Sequence, residues 1–308
     1  MTSPSSSSSA VGDQRKVMLL SRFQGLNLVR LIEIIRQTGC NVALVVTALG
    51  YNYSLNEKNY DDLATRIRLV HATVRDPPPI MTITGITQLL PFLQAIDPDL
   101  VITCLFPYQL TKSFLAHRSI KINMHPSPLP LYRGNSATGH MLLQQLSSWT
   151  ITWHYITEEY DTGNILIQQS FPLQTPYGIA ELSRSSLEAI FATVSQAIEM
   201  SLARHPGTPQ RQPTSEEEPF VYPKPLTIAE RTITSDLTCH QILILTEACK
   251  YFPPALLNAE GRLYHVIEAR RVETPLPFTL ASGEVRRVLN RYVHQCADGI
   301  MEYVVRII

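Results

Sequence analysis

The chain has no apolar run of the roughly 18 residues that a membrane-spanning helix requires, so no membrane partner is expected. It has no excess of charge either. The 26 Lys and Arg balance 26 Asp and Glu, which leaves no global basic field of the kind that draws proteins to nucleic acid. A polyanionic partner would need a local patch. Cysteine is sparse and odd in number: Cys40, Cys104, Cys239, Cys249 and Cys296 are scattered, mostly in apolar runs, without the pairing of a zinc site or the density of a disulfide scaffold. They read as buried free thiols in a reducing, cytoplasmic compartment, and no metal is expected. Glycine is missing where a dinucleotide site would need it. The turn Ser21-Arg22-Phe23-Gln24-Gly25-Leu26 holds one glycine where the phosphate fingerprint needs three, which argues against a nicotinamide or flavin enzyme. The first dozen residues are Ser-rich, with no Lys or Arg before Arg15 and no apolar stretch, so they fit neither a secretory signal nor a transit peptide and read as a flexible tail over 1–14.

What is present is enough apolar sequence for a core. With 308 residues, 44% hydrophobic, the chain suits one large domain and one small one. Residues 16–20 form an apolar run that reads as a buried strand, and apolar positions 28, 31, 32 and 35 have helix spacing within 26–37. Gly39 ends that helix, and 41–47 reads as a second buried strand. Residues 50–62 are polar, 83–96 suggest a helix, and Asp97-Pro98-Asp99 turns the chain into a strand over 100–105. Strand and helix repeated in this way predict a mostly parallel, Rossmann-like α/β sheet. Strands are expected at 151–157 and 166–173, and a helix at 182–202.

Six prolines and the acidic run Glu216-Glu217-Glu218 mark 206–225 as a linker between a domain at 15–205 and another at 226–308. The second part predicts a helix at 239–249 and strands at 263–267, 285–289 and 303–308, a small, mostly β unit.

The densest chemistry follows a short strand at 120–123. Residues two apart on a strand share a face, so Asn123 and His125 can be aimed together, and Pro126, Pro128 and Pro130 then stop the strand and stiffen the loop. Farther on comes Asp161-Thr162-Gly163 in a loop between two strands. An amide, an imidazole and a carboxylate from separate loops can run an acyl transfer.

The run Asn123-x-His125-Pro126-Ser127-x-Leu129-Pro130-x-Tyr132-Arg133-Gly134, with the downstream Asp161-Thr162-Gly163, resembles the signature of the folate-dependent formyltransferases. A second, fainter resemblance lies in Phe252-Pro253-Pro254-Ala255 with Gly261 beyond, which is similar to a run near the start of the OB-like C-terminal domain of some members. The resemblance implies a formyltransferase fold carrying an OB-like β domain, and 10-formyltetrahydrofolate as co-substrate.

It implies roles for residues as well. Asn123 would donate an N–H to the oxyanion, His125 would add a second hydrogen bond, and Asp161 would position His125 or a water and help move the amine proton to the departing folate nitrogen. His154, on the strand leading to Asp161, would be catalytic support or simple packing. Folate would lie between Phe106, Tyr108 and Leu110, the turn Ser127, Pro128, Leu129 and Pro130, and the loop Thr157, Glu158, Glu159 and Tyr160.

The acceptor is set by other loops. Residues 51–80 hold four basic side chains against four acidic ones, and Arg286, Arg287 and Arg291 could form a small basic patch, though an ordinary solvated face is the preferred reading. A small-molecule amine, an amino sugar or amino-acid derivative, is therefore favoured over initiator tRNA. A phosphoribosyl acceptor, which in relatives goes with a glycine-rich phosphate loop after the first strand, ranks third, and a hydrolase using water as acceptor and a non-catalytic folate- or RNA-binding module are the remaining readings.

Overall fold

A computed structural model describes residues 14–23, 25–48, 59–174, 177–250 and 253–308. Expectations that fall on residues 1–13, Lys58, Tyr251 and Phe252 lie outside these. Seven strands, β1 (Lys16–Ser21), β2 (Asn41–Ala48), β3 (Ile80–Ile83), β4 (Leu100–Cys104), β5 (Ile120–His125), β6 (Ser148–Tyr155) and β7 (Ile165–Pro172), form one sheet in the order β3-β2-β1-β4-β5-β6-β7. It is parallel from β3 to β5, and β6 and β7 add antiparallel. The order reverses between β1 and β4, and in open α/β sheets the crevice at the carboxyl ends of strands beside such a reversal is where ligands bind.

Apolar alternation along β1 builds both layers. Val17 and Leu19 face a core completed by Leu28, Leu31, Ile32 and Ile35 of helix α1 (Gly25–Gln37), while Met18 and Leu20 face the opposite core. Helix α2 (Asn59–Thr73) joins the first layer through Val70. Helices α3 (Leu90–Ile96) and α4 (Lys112–Leu115) cover the second face with Leu93 and Phe114. On the first face, α5 (Ala137–Leu143) and the long α6 (Ile179–Leu202) contribute Met141, Ile190, Val194 and Ile198.

The expected helix at 83–96 is corrected. Ile83 closes β3, Gly85 is extended, a 3-10 turn runs over Ile86–Leu89, and the α-helix begins only at Leu90, with Pro91 in its first turn, where a missing N–H costs nothing. The polar stretch up to residue 62 also hides the start of α2.

After short helices α7 (Glu218–Val221) and α8 (Ile228–Arg231), a second sheet forms from β8 (Thr232–Ile233), β9 (Leu256–Ala259), β10 (Arg262–Arg271), β11 (Val285–Val288), β12 (Arg291–Cys296) and β13 (Gly299–Ile307), in the order β11-β12-β13-β10-β9-β8. Its pairings are antiparallel except β8 with β9. Helix α9 (Cys239–Ala248) is started by a capping box, in which the Thr238 hydroxyl accepts from the Gln241 amide and the Gln241 side chain accepts from the Thr238 amide. One side of α9 packs Ile242 and Leu245 on Leu257, Val266 and Tyr303 of this sheet, while Ile244 and Ala248 join the main core. The two sheets thus share α9 as a common wall.

All five cysteines are free and buried. Scattered spacing nevertheless misled on their pairing: Cys239 and Cys296 bring their sulfurs to 3.2 Å across 57 residues of sequence. With Asp298 they group three donor atoms of metal-binding type within 4.8 Å of one another, so the expectation of no metal loses the ground it was given.

Candidate active site

Antiparallel pairing of β5 with β6 sets Asn123 directly beside His154, and the loop after β6 swings Asp161 back over both. That loop requires Gly163. A Cβ there would sit 1.8 Å from the Tyr155 carbonyl oxygen, so only glycine lets the chain pass so close. Thr162 accounts for the middle of the motif, its hydroxyl 2.7 Å from that of Thr157 and donating to the Glu159 carbonyl at 3.2 Å.

The polar groups form one network. Asn123 accepts from the Thr103 hydroxyl at 2.5 Å, which turns its amide nitrogen toward His154 Nε2 at 3.1 Å and Asp161 Oδ1 at 3.3 Å. His154 Nδ1 stands 2.7 Å from the Tyr155 carbonyl, and its Nε2 lies 3.1 Å from the Asn123 amide nitrogen and 3.4 Å from Asp161 Oδ1. His125 Nε2 donates to the Tyr132 carbonyl at 2.7 Å, and its Nδ1 stands 3.5 Å from Asp161 Oδ2. The Gly134 N–H donates to the same carboxylate oxygen at 2.8 Å.

Electrostatics follow from this packing. Burial alone would raise the Asp161 carboxyl pKa, but His125, His154 and the Gly134 N–H outweigh it and hold the group well below its usual range. Burial lowers the pKa of His125, against the opposing pull of Asp161. Three non-glycine residues around the network, Leu105, Tyr132 and Asp161, have left-handed backbone with φ of 55, 56 and 54°. Such residues cluster where the fold over-determines a functional geometry.

A cavity of about 370 Å³ opens over Asn123, His125, His154 and Asp161. Seven of the eleven residues expected to hold folate line it: Phe106, Tyr108 and Leu110 from the loop after β4, and Thr157, Glu158, Glu159 and Tyr160 from the loop after β6. The two loops are tied together, since Gln109 Nε2 donates to the Glu158 carbonyl at 3.1 Å. The turn Ser127, Pro128, Leu129 and Pro130 is placed elsewhere. It is absent from the wall because it packs beneath the site, where the Ser127 hydroxyl donates to the Leu131 carbonyl at 2.8 Å and the Ser127 carbonyl accepts from Thr152 at 2.6 Å.

Sequence reasoning missed Thr103, the Tyr132 carbonyl, the Gly134 amide and Lys250, which reaches the cavity wall from beyond α9. Thr103 is inward-facing and next to Asn123 in the β4–β5 register, a signal available once the strands are paired. The backbone groups and Lys250 had none.

The order of strands and a polar cluster at the carboxyl edge beside the reversal define a doubly wound α/β protein with its ligand cleft at the switch point. The Formyl transferase model matches residues 15–198, and the chain belongs to that family. It is 34% identical over 116 residues to methionyl-tRNA formyltransferase of Syntrophus aciditrophicus, a match spanning 36% of this chain and 37% of that protein. It is 24% identical over 171 residues to GDP-perosamine N-formyltransferase of Brucella melitensis, spanning 55% and 64%. Both matches cover less than two thirds of the relative's length. Among solved structures, HypX from Aquifex aeolicus in complex with tetrahydrofolic acid has the same fold with a TM-score of 0.63 at 16% identity, over 94% of this chain and 43% of that one.

Proposed function

We propose that this protein is a cytoplasmic N-formyltransferase that moves a formyl group from 10-formyltetrahydrofolate to the primary amine of a small metabolite, an amino sugar or an amino-acid derivative. The observation that carries the reading is the joined Asn123, His125, His154 and Asp161 network at the floor of one cavity. Family membership and a neighbour solved with tetrahydrofolic acid support the co-substrate.

In this reading the amine nitrogen attacks the formyl carbon, a C–N bond forms, and negative charge grows on the formyl oxygen. Asn123 supplies an N–H to that oxygen. Both its N–H groups now face His154 and Asp161, so one turns to the substrate when the cavity fills. His125 has both ring nitrogens engaged, and in its protonated form Nδ1–H holds Asp161 as an anion rather than being free for the substrate. The attack leaves the nitrogen positively charged, and Asp161 takes its proton and passes it to the folate nitrogen as the C–N bond to folate breaks. His154 supports by orienting Asn123.

Charge placement favours a small acceptor over tRNA. Two of the three arginines expected to make a basic patch are neutralised, Arg286 by Glu284 at 2.6 Å and Arg291 by Glu302 at 2.6 Å. We take residues 15–205 as the catalytic domain, 206–225 as the linker and 226–308 as an OB-like unit. Replacing His125→Ala should lower kcat about a hundredfold or more, read as release of tetrahydrofolate, with folding intact by circular dichroism. A fully active variant would remove His125 from the assignment.

A further inference from the structure

The segment between α6 and α8 lies along the site. Thr208 forms a two-way bridge with Ile165, each N–H 2.8 Å from the other's carbonyl, and delivers Gln210 to the gap between the two loops that carry the network. Gln210 Nε2 donates to the Asp161 carbonyl at 2.7 Å and to the Gly163 carbonyl at 2.9 Å, and its Oε1 accepts from Arg133 Nη2 at 2.6 Å. Both donors of this amide are used, and its oxygen is occupied by a charged partner. The pair of carbonyls brackets Thr162, in the turn where Asp161 is held in the left-handed region. Arg133 lies in the other loop, between Tyr132, whose carbonyl holds His125, and Gly134, whose amide holds Asp161.

Neighbours on the same segment grip that second loop. The Tyr132 and Arg133 amides donate to the Phe220 and Val221 carbonyls at 2.6 and 2.8 Å, and Tyr222 stands under the Arg133 guanidinium, 5.4 Å from ring centre to its carbon. Tyr222 also reaches across, its hydroxyl accepting from Arg133 Nη1 at 3.4 Å and donating to the Tyr160 carbonyl at 3.3 Å. Within this segment it is Gln210 that joins Arg133 to the carbonyls of Asp161 itself and of Gly163.

We infer that Gln210 is a positioning residue for the transfer step, fixing the Asp161 carboxylate against His125 and Asn123 by clamping the loop of Asp161 to that of Arg133. The inference rests on the formyltransferase reading. Two variants separate positioning from mere attachment of the segment. Gln210→Ala removes all three bonds. Gln210→Glu keeps and strengthens the acceptor for Arg133 but sets a carboxylate against two carbonyls that need donors.

The experiment measures kcat and KM for the formyl donor in wild type and both variants, with hydrogen exchange over residues 157–164 alongside. Positioning predicts that kcat falls about tenfold or more in both variants, that KM moves less than twofold, and that exchange in 157–164 quickens about tenfold while the urea midpoint holds. Recovery of wild-type kcat and exchange by Gln210→Glu would overturn it, as would unchanged kcat and exchange in Gln210→Ala. Wild-type protein that turns over no amine would sink the underlying reading instead, and the exchange arm, which needs no substrate, would still decide whether Gln210 holds the Asp161 loop.

Discussion

Two residues at the site owe their identity to opposite demands, one to charge and one to the lack of a side chain. Asp161 is ionised because two imidazoles and an amide converge on it. Its folded-state pKa lies below the ordinary 3.8, so it contributes stability that is present above that value and lost as pH falls through the folded one. Asp161→Asn should therefore be less stable than wild type near pH 6, with the gap between their urea midpoints closing toward pH 2. A gap that stays constant with pH would show that the carboxylate carries no such linkage. Gly163→Ala should cost about 2 kcal/mol or more, because the Tyr155 carbonyl occupies the space of the new methyl; equilibrium urea denaturation reads it. The positions Asn123, His125 and Asp161 were legible because strand alternation and a short motif fix them. Thr103, the Tyr132 carbonyl and Gln210 were not, since each acts through contacts between segments 20, 7 and 49 residues apart whose residue types carry no signature.

At the scale of elements, apolar period and punctuation decided most of the reading. β1, α1, β2, β4 and α6 carry runs or helix-spaced apolar faces, and they form where expected to within a few residues. Reading 83–96 as one helix ran it through Gly85 and Pro91, where the chain instead completes β3 and a 3-10 turn before the α-helix begins. The proline-rich 206–225 looked like spacer by composition, yet it donates and accepts along the loops of the site, which composition cannot reveal. Helix α9 joins the two sheets and its start depends on a reciprocal cap. Thr238→Ala should cost about 1 kcal/mol, measured by urea denaturation, with the Cys239 to Asp298 bond at 2.6 Å retained as a partial substitute.

The whole molecule combines a cavity at the switch point of an α/β sheet with a second unit whose helix α9 is followed by a turn that brings one lysine, Lys250, to the cavity wall. Zero net charge, with Arg270 and Arg291 paired to Glu302 and Arg286 to Glu284, is the ground on which we propose a small metabolite as acceptor. The sequence pointed to the sheet and to the donor chemistry through one long motif, whereas the joining of two units at α9 and the pairing of Cys239 with Cys296 appear only once the chain is folded. The central claim is tested most directly by incubating the purified protein with 10-formyltetrahydrofolate and a panel of amino sugars, amino acids and methionyl-tRNA, following release of tetrahydrofolate. Turnover with a small amine is the predicted result; turnover with charged tRNA alone would contradict the acceptor, and none with any amine would contradict the account itself.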